Sequence, residues 1–330
     1  MYQIFAVALL AGPDHSVTPR DELDFSSIHI LDGAMATELE RRGCDISGPL
    51  WSAHVLDTAP HTIAAVHLDY LRAGADCIST ASYQVSARGY REIGRPGSDA
   101  ARALRQSIEI AGNACSTYAR ENPRRIWIAV SLGPYGAALH NGAEYHGRYD
   151  IQFDELVAFH AERFSMASEL SADLLALETV PSLEEAQALL LALARIPTIS
   201  AWISFTCRDA AHVVHGERLA ACAAAAAESP QIVAVGINYT APWHIAGLIA
   251  EARIGCQDRR PVVVYPNSGE RWDAATRTWH GTTDRAEFGK LARVWFAAGA
   301  QAVGGCCRTS PAHIAVVAAA RRAAENAEPS

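Results

Sequence analysis

Near the end of the 330-residue chain two cysteines stand side by side, in the run Val303-Gly304-Gly305-Cys306-Cys307-Arg308. They follow a short apolar, strand-like stretch and precede a helical one. Two neighbouring thiols at a strand end can offer two sulfurs to one soft metal, and the glycines before them let the backbone come close. A bare Cys-Cys pair is more often two buried thiols. The Gly-Gly approach and the strand-end position favour metal, and the chemistry such a pair supports is zinc activating a sulfur nucleophile. Two thiolates do not complete a tetrahedral site. At least one more protein ligand must come from another strand end, with a position left open for chemistry.

Other residues carry chemistry too. Asp32 and Glu178 are carboxylates at strand ends, and two acceptor-only groups suit a substrate ammonium. Equally, either could cap a helix or pair with an arginine; a paired acid and base is a third possibility. Of the thirteen histidines, His212 and His215 have i, i+3 spacing but fall in a loop-like stretch. His280, in Thr278-Trp279-His280-Gly281, is the histidine to keep as a site-loop residue. A long loop carries Gly133-Pro134-Tyr135-Gly136 and Glu144-Tyr145. Its aromatics, Tyr135 and Tyr145, either face a cationic ligand or pack the loop on the rim.

Alternating elements position these residues. Strands are expected at Ile28–Asp32, Asp76–Thr80, Arg125–Leu132, Asp173–Leu177, Thr198–Phe205, Ile232–Ile237, Pro261–Tyr265 and Gln301–Val303. Helices follow them, among them Thr62–Ala73, Asp99–Arg120, Phe153–Leu170 and Ser182–Ala194, the last with Ser182 as N-cap. Eight strand-then-helix units with uniformly apolar strands predict an α/β fold, a single (β/α)8 TIM barrel with its site at the C-terminal strand ends. An open doubly wound sheet is the weaker rival, because no Gly-x-Gly-x-x-Gly turn follows the first strand.

The composition agrees with a large buried core. Half of the residues are hydrophobic, 19% are charged, and the formal net charge is −8. That balance, without a basic stripe, excludes a nucleic-acid scaffold. The eight cysteines are scattered, which reads as reduced thiols and a cytoplasmic protein; Cys77, Cys115, Cys222 and Cys256 read as small buried apolar residues. Residues 1–27 read as a poorly ordered extension whose apolar run, Ile4–Ala11, is short for a signal segment. No stretch is long enough to span a membrane.

The segments Leu31-Asp32-Gly33-Ala34-Met35-Ala36-Thr37-Glu38-Leu39, Ser82-Tyr83-Gln84, Leu177-Glu178-Thr179-Val180-Pro181-Ser182, Gly236-Ile237-Asn238, Val264-Tyr265-Pro266-Asn267-Ser268-Gly269-Glu270 and Gly304-Gly305-Cys306-Cys307-Arg308-Thr309 together resemble the homocysteine S-methyltransferase family. The resemblance implies a homocysteine-binding barrel over 28–324, with a tail at 325–330. It implies methyl transfer from S-methylmethionine or S-adenosylmethionine to homocysteine, giving methionine. Asp32, Gly33, Glu178 and Asn238 would bind homocysteine. The leaving thioether is neutral, so no residue is needed as general acid or base. Partners would be these small molecules, with no nucleic acid and no membrane.

In that family three cysteines hold a Zn2+ ion. Two match Cys306 and Cys307. The third normally follows the asparagine of the Gly-x-Asn segment, where this chain has Tyr239. Phenolate is longer and harder than thiolate. Three outcomes follow: Tyr239 ligates through oxygen, Cys207 supplies sulfur from the neighbouring strand, or metal binding is weak. The last would leave a diverged barrel that binds a thiol or sulfonium amino acid without turnover. A further reading is methylation of another thiol or a selenol.

Overall fold

The computed structural model describes residues 25–325, apart from 49, 169, 171, 274–277 and 281–283. Seven strands, Cys77–Ser79, Trp127–Leu132, Leu174–Val180, Ala201–Phe205, Ile232–Asn238, Val262–Tyr265 and Ala300–Val303, pair in parallel in chain order. The two edges of that sheet are joined by Ile30, which bridges Val303, and Leu31, which bridges Cys77. Leu31 N donates to Val303 O at 3.0 Å and Asp32 N to Cys77 O at 3.1 Å. The two-residue bridge is the eighth strand and closes the (β/α)8 barrel. The strand expected over Ile28–Asp32 contracts to it.

Burial explains the uniformly apolar strands. Alternate residues divide between two cores. Leu174, Ala176, Trp202, Ala234, Val263 and Ala302 fill the lumen, whereas Leu175, Leu177, Ile203, Val235 and Val264 pack under the helices. The helices fall close to their expected spans, including Asp99–Ala119, Phe153–Ser168 and Leu183–Leu193. Ser182 caps the last of these, its Oγ accepting from Glu185 N at 3.1 Å.

Five elements were not anticipated, three helices and two strands. Ser52–Thr58, Ala87–Glu92 and Tyr135–Ala138 are short helices within long connections. Arg271–Asp273 and Thr278–His280 form an antiparallel hairpin after Tyr265, and His280 lies in its second strand.

Phe25–Ser27, placed by the sequence reading in the extension, form a 3-10 helix at the strand starts. Phe25 is 6% exposed and meets Trp202 edge-on, with ring centroids 6.3 Å apart. Trp127 Nε1 donates to Ser27 Oγ at 3.1 Å. The rest of the expected extension (1–24) and of the tail (326–330) lies outside the described residues. Among the described residues no helix is long and apolar enough to cross a membrane.

Candidate active site

At the opposite end of the lumen the greasy filling gives way to a polar layer. Trp202 Nε1 donates to the Tyr265 hydroxyl at 3.0 Å. The hydroxyls of Tyr265 and Ser204 are bonded to each other, and Ser204 donates to Asn238 Oδ1 at 3.0 Å. The same Oδ1 accepts from Thr179 N at 2.7 Å, while Asn238 Nδ2 donates to Thr179 Oγ1 at 2.8 Å. Asn238 is therefore turned onto Thr179. That residue sits at φ +62, a left-handed conformation that a β-branched residue adopts only under constraint, inside an irregularity between Leu177 and Val180. The clamp on Thr179 fixes the direction of the preceding residue, Glu178.

Glu178 is bonded by the Ser131 hydroxyl. Burial raises its carboxyl to about 7, against the opposing pull of hydrogen bonds from Ser131 and Tyr265. Asp32 is 6% exposed. Burial pushes its carboxyl up to about 8; the charge of Glu178 pushes the same way, while the bond from Ser79 N at 2.8 Å opposes both. Two acids thus share one dry region, and no arginine or lysine is among the groups that shift either of them. Proton-holding acids in this state become strong acceptors when a cation enters.

The cysteine loop lies beside them, since the charge of Glu178 bears on the Cys307 thiol. Gly305 N donates to Asp32 O at 3.0 Å, Cys306 N to Pro266 O at 2.8 Å, and Ser268 N to Cys307 O at 3.2 Å. Thr309 Oγ1 ties the cysteine loop to the first loop of the barrel, donating to Cys306 O at 2.7 Å and accepting from Ala34 N at 3.2 Å. Gly33 makes room for this. A Cβ there would stand 2.8 Å from a ring carbon of Tyr70 and 2.9 Å from Thr309 Oγ1. Both thiols are free and half-buried. The adjacent Cys306 and then burial push Cys307 well above the usual thiol range.

Left-handed backbone recurs around the mouth. Thr179 (φ +62), Tyr239 (φ +48) and Arg308 (φ +68) directly follow Glu178, Asn238 and Cys307. Arg308 is held by Thr37 Oγ1, which accepts from its N at 3.1 Å, and by Glu270, 2.6 Å from its Nε.

The third ligand position is unusual. Tyr239 stacks on Tyr145, with centroids 4.6 Å apart and planes 17° apart. Burial, and then Cys307, hold its phenol far above the ordinary range. Among the described residues no three His, Cys, Asp or Glu side chains gather as a metal site. Cys207 lies with Cys222 in the core under the helices, where burial, and then the Cys222 thiol, push it up. His212 and His215 face Asp209 and Glu217, each at 3.0 Å. The donors at hand are two sulfurs and one phenol. That set fits a soft divalent ion with a single hard donor among its ligands.

The long loop divides its two tyrosines. Tyr135 packs on the rim: it is 5% exposed, meets Tyr149 and Phe159 edge-on, and takes a hydrogen bond from Arg88 at 2.6 Å. Tyr145 faces the mouth. Three residues there had no role assigned from the sequence, although Tyr83 and Glu144 lie in segments quoted above. Tyr83 stands against Gly133, and its phenol is pushed up by burial and then by Glu144. Glu144 is 4% exposed, and burial raises its carboxyl to about 7. Arg163, 2% exposed, spends its guanidinium on the carbonyls of Gly133, Tyr83 and Val85 at 2.6, 2.8 and 3.0 Å, pinning two site loops together.

Known proteins resemble this chain in sequence and fold. The sequence profile described as Homocysteine S-methyltransferase matches residues 29–321. Homocysteine S-methyltransferase YbgG of Bacillus subtilis is 44% identical over 302 residues, covering 90% of this chain and 95% of that one. Selenocysteine Se-methyltransferase of Brassica oleracea is 42% identical over 303 residues, covering 87% of each. The crystal structure of the homocysteine methyltransferase MmuM from Escherichia coli, in its metallated form, superposes with a TM-score of 0.77 at 41% identity, covering 88% of this chain and 96% of that one. A profile match over most of the barrel and identities above 40% across nearly the whole length settle the kinship: the chain belongs to the homocysteine S-methyltransferase family.

Proposed function

We propose that this chain transfers a methyl group from a sulfonium donor, S-methylmethionine or S-adenosylmethionine, to homocysteine. Asp32 and Glu178 receive the homocysteine ammonium group, with Gly33 admitting the close packing of that corner. Asn238 acts on the same pocket by holding Thr179, and through it Glu178. Cys306 and Cys307 would hold zinc, with the Tyr239 phenol as the third protein donor. Zinc, when bound, keeps the homocysteine sulfur as thiolate near neutral pH.

The thiolate sulfur forms the new bond to the methyl carbon as the donor's S–CH3 bond breaks. The electron pair of that bond stays on the donor sulfur, which becomes neutral. One negative and one positive charge cancel, no proton moves, and no general acid is required. The observation that carries the reading is the dry Asp32–Glu178 pair beside two vicinal thiols. The metallated form of the Escherichia coli relative supports the metal.

Methionine formation from homocysteine and each donor tests the reading, with zinc supplied and then chelated. Turnover that survives chelation unchanged would remove zinc from the account. Tyr239→Cys should tighten zinc binding; an unchanged affinity would take Tyr239 out of the ligand set. The raised phenol of Tyr239, with no third Cys, His, Asp or Glu gathered at the pair among the described residues, favours one alternative: a barrel that binds a thiol or sulfonium amino acid without turning it over. Ligand binding without methionine formation is its signature. The kinship to a selenocysteine Se-methyltransferase adds selenols as nucleophiles to compare.

A further inference from the structure

Glu144 is buried with few partners: its own backbone N–H and the Tyr145 side chain hydrogen-bond the carboxyl, yet burial outweighs both. It is 4% exposed, and its Oε2 has no hydrogen-bond partner among the described residues. Carboxylates in such places are normally paired, because an isolated buried charge is expensive and an unsatisfied acceptor loses its hydration for nothing. No arginine, lysine or histidine is among the groups that shift it. Its charge bears instead on the phenols of Tyr83, Tyr145 and Tyr239. Those tyrosines come from three separate loops. Tyr145 and Tyr239 are stacked face to face, and both feel the Cys307 thiol; Tyr83 feels Cys306 and Glu178. All three tyrosines therefore lie close enough to feel both Glu144 and the cysteine pair.

We propose that Glu144 and the rings of Tyr83, Tyr145 and Tyr239 form the seat of the positively charged sulfur of the methyl donor. The inference rests on the function proposed above and adds to it the residues that choose a cationic donor. Aromatic faces and a carboxylate attract the same ligand for the same reason, a positive charge spread over methyl and methylene groups with no N–H to donate. The seat is on the thiol side of the pocket, where a methyl group must lie to be taken. Asp32 and Glu178 serve a different cation, the ammonium of the acceptor.

The chemistry gives this seat a signature. Transfer leaves the donor sulfur neutral, so the attraction is greatest in the bound donor and fades as the bond breaks. Such an interaction lowers KM without raising kcat, and it lets the neutral thioether leave. Glu144→Gln keeps the shape and removes the charge. It should raise KM for S-methylmethionine about tenfold or more, as expected for a lost interaction with a charged group. The KM for homocysteine should move less than twofold, and kcat less than threefold.

Tetramethylammonium, a cation of similar size that is no amino acid, supplies a second reading by calorimetry. It should bind the native protein and lose about tenfold in affinity in Glu144→Gln and in Tyr145→Leu, which removes the ring and its hydrogen bond to Glu144 but keeps the acid. A donor KM unmoved in Glu144→Gln, or raised together with that of homocysteine, would overturn the seat while leaving methyl transfer intact. Should the native chain turn over no sulfonium donor, the proposed function fails, and the tetramethylammonium titration still decides whether the cation seat exists. A titration with no difference between native and Glu144→Gln protein rejects it.

Discussion

At the floor of the barrel Phe25, Trp127 and Trp202 close the lumen with rings, and polar groups in reach are hydrogen-bonded, as Trp127 is to Ser27 and Gln301 to Ser26 O. At the mouth the same strands end in Asp32, Glu178, Asn238 and the cysteine pair. There two acids are buried, with the charge of Glu178 disfavouring that of Asp32, and three non-glycine residues are held left-handed. The floor gains stability from apolar burial. The mouth gives some up, holding carboxyls and backbone in states that only a ligand relieves. The difference teaches where this molecule stores its binding free energy: in groups that fold badly and bind well.

That contrast can be broken in four ways, in descending order of effect. Cys306→Ser or Cys307→Ser should reduce methyl transfer by about a thousandfold or more, since a zinc-held thiolate is replaced by a thiol that is mostly protonated at neutral pH. Activity of either variant within tenfold of native, in a methionine-formation assay, would mean that the pair is structural.

Glu178→Gln should come next. It removes the charge that would meet the homocysteine ammonium and should raise KM for homocysteine by about 10 to 100-fold, read from initial rates at saturating donor. Phe25→Ala should do the reverse of Glu178→Gln. Truncating a buried ring costs about 3 to 5 kcal/mol, measured by urea unfolding, with KM for both substrates unchanged. A shifted KM in Phe25→Ala would show that floor and mouth are coupled.

The smallest effect is a pH dependence. Asp32 and Glu178 titrate at about 8 and about 7 in the folded chain, against roughly 4 for carboxyls in an unfolded one. Their folded pKa values are raised. The native state therefore holds protons that the unfolded state has released, and these groups lower stability as pH climbs from about 4 to about 8. Glu178→Gln removes one of them. Its melting temperature should equal the native value near pH 4 and exceed it by about 2 °C or more near pH 8, in metal-free protein without ligand. A constant difference across that range would contradict the raised carboxyl.

Much of this was legible in the sequence because its signals are local. Eight apolar strands followed by helices are read by period, and the polar residues that end them follow from the barrel rule. Ser182 announces its helix by type alone. The first strand was overread because Ile28–Asp32 looks like its neighbours; its pairing is set by the closing geometry, which needs only Ile30 and Leu31. Tyr135 and Tyr145 could not be told apart, since a loop has no period to say which ring turns inward. Glu144 was out of reach for a deeper reason. Its neighbours Tyr83 and Tyr239 lie on other loops, and a buried acid short of partners is visible only once the partners have been counted in space.

The central claim is that vicinal thiols at the mouth hold a metal for the acceptor sulfur. Zinc per chain, measured after dialysis in the presence of homocysteine, tests it most directly. The account predicts about one zinc per native chain, set by the one candidate site at the cysteine pair, and almost none in Cys306→Ser or Cys307→Ser. Equal zinc in all three proteins, or none in the native chain while it still makes methionine, would contradict it.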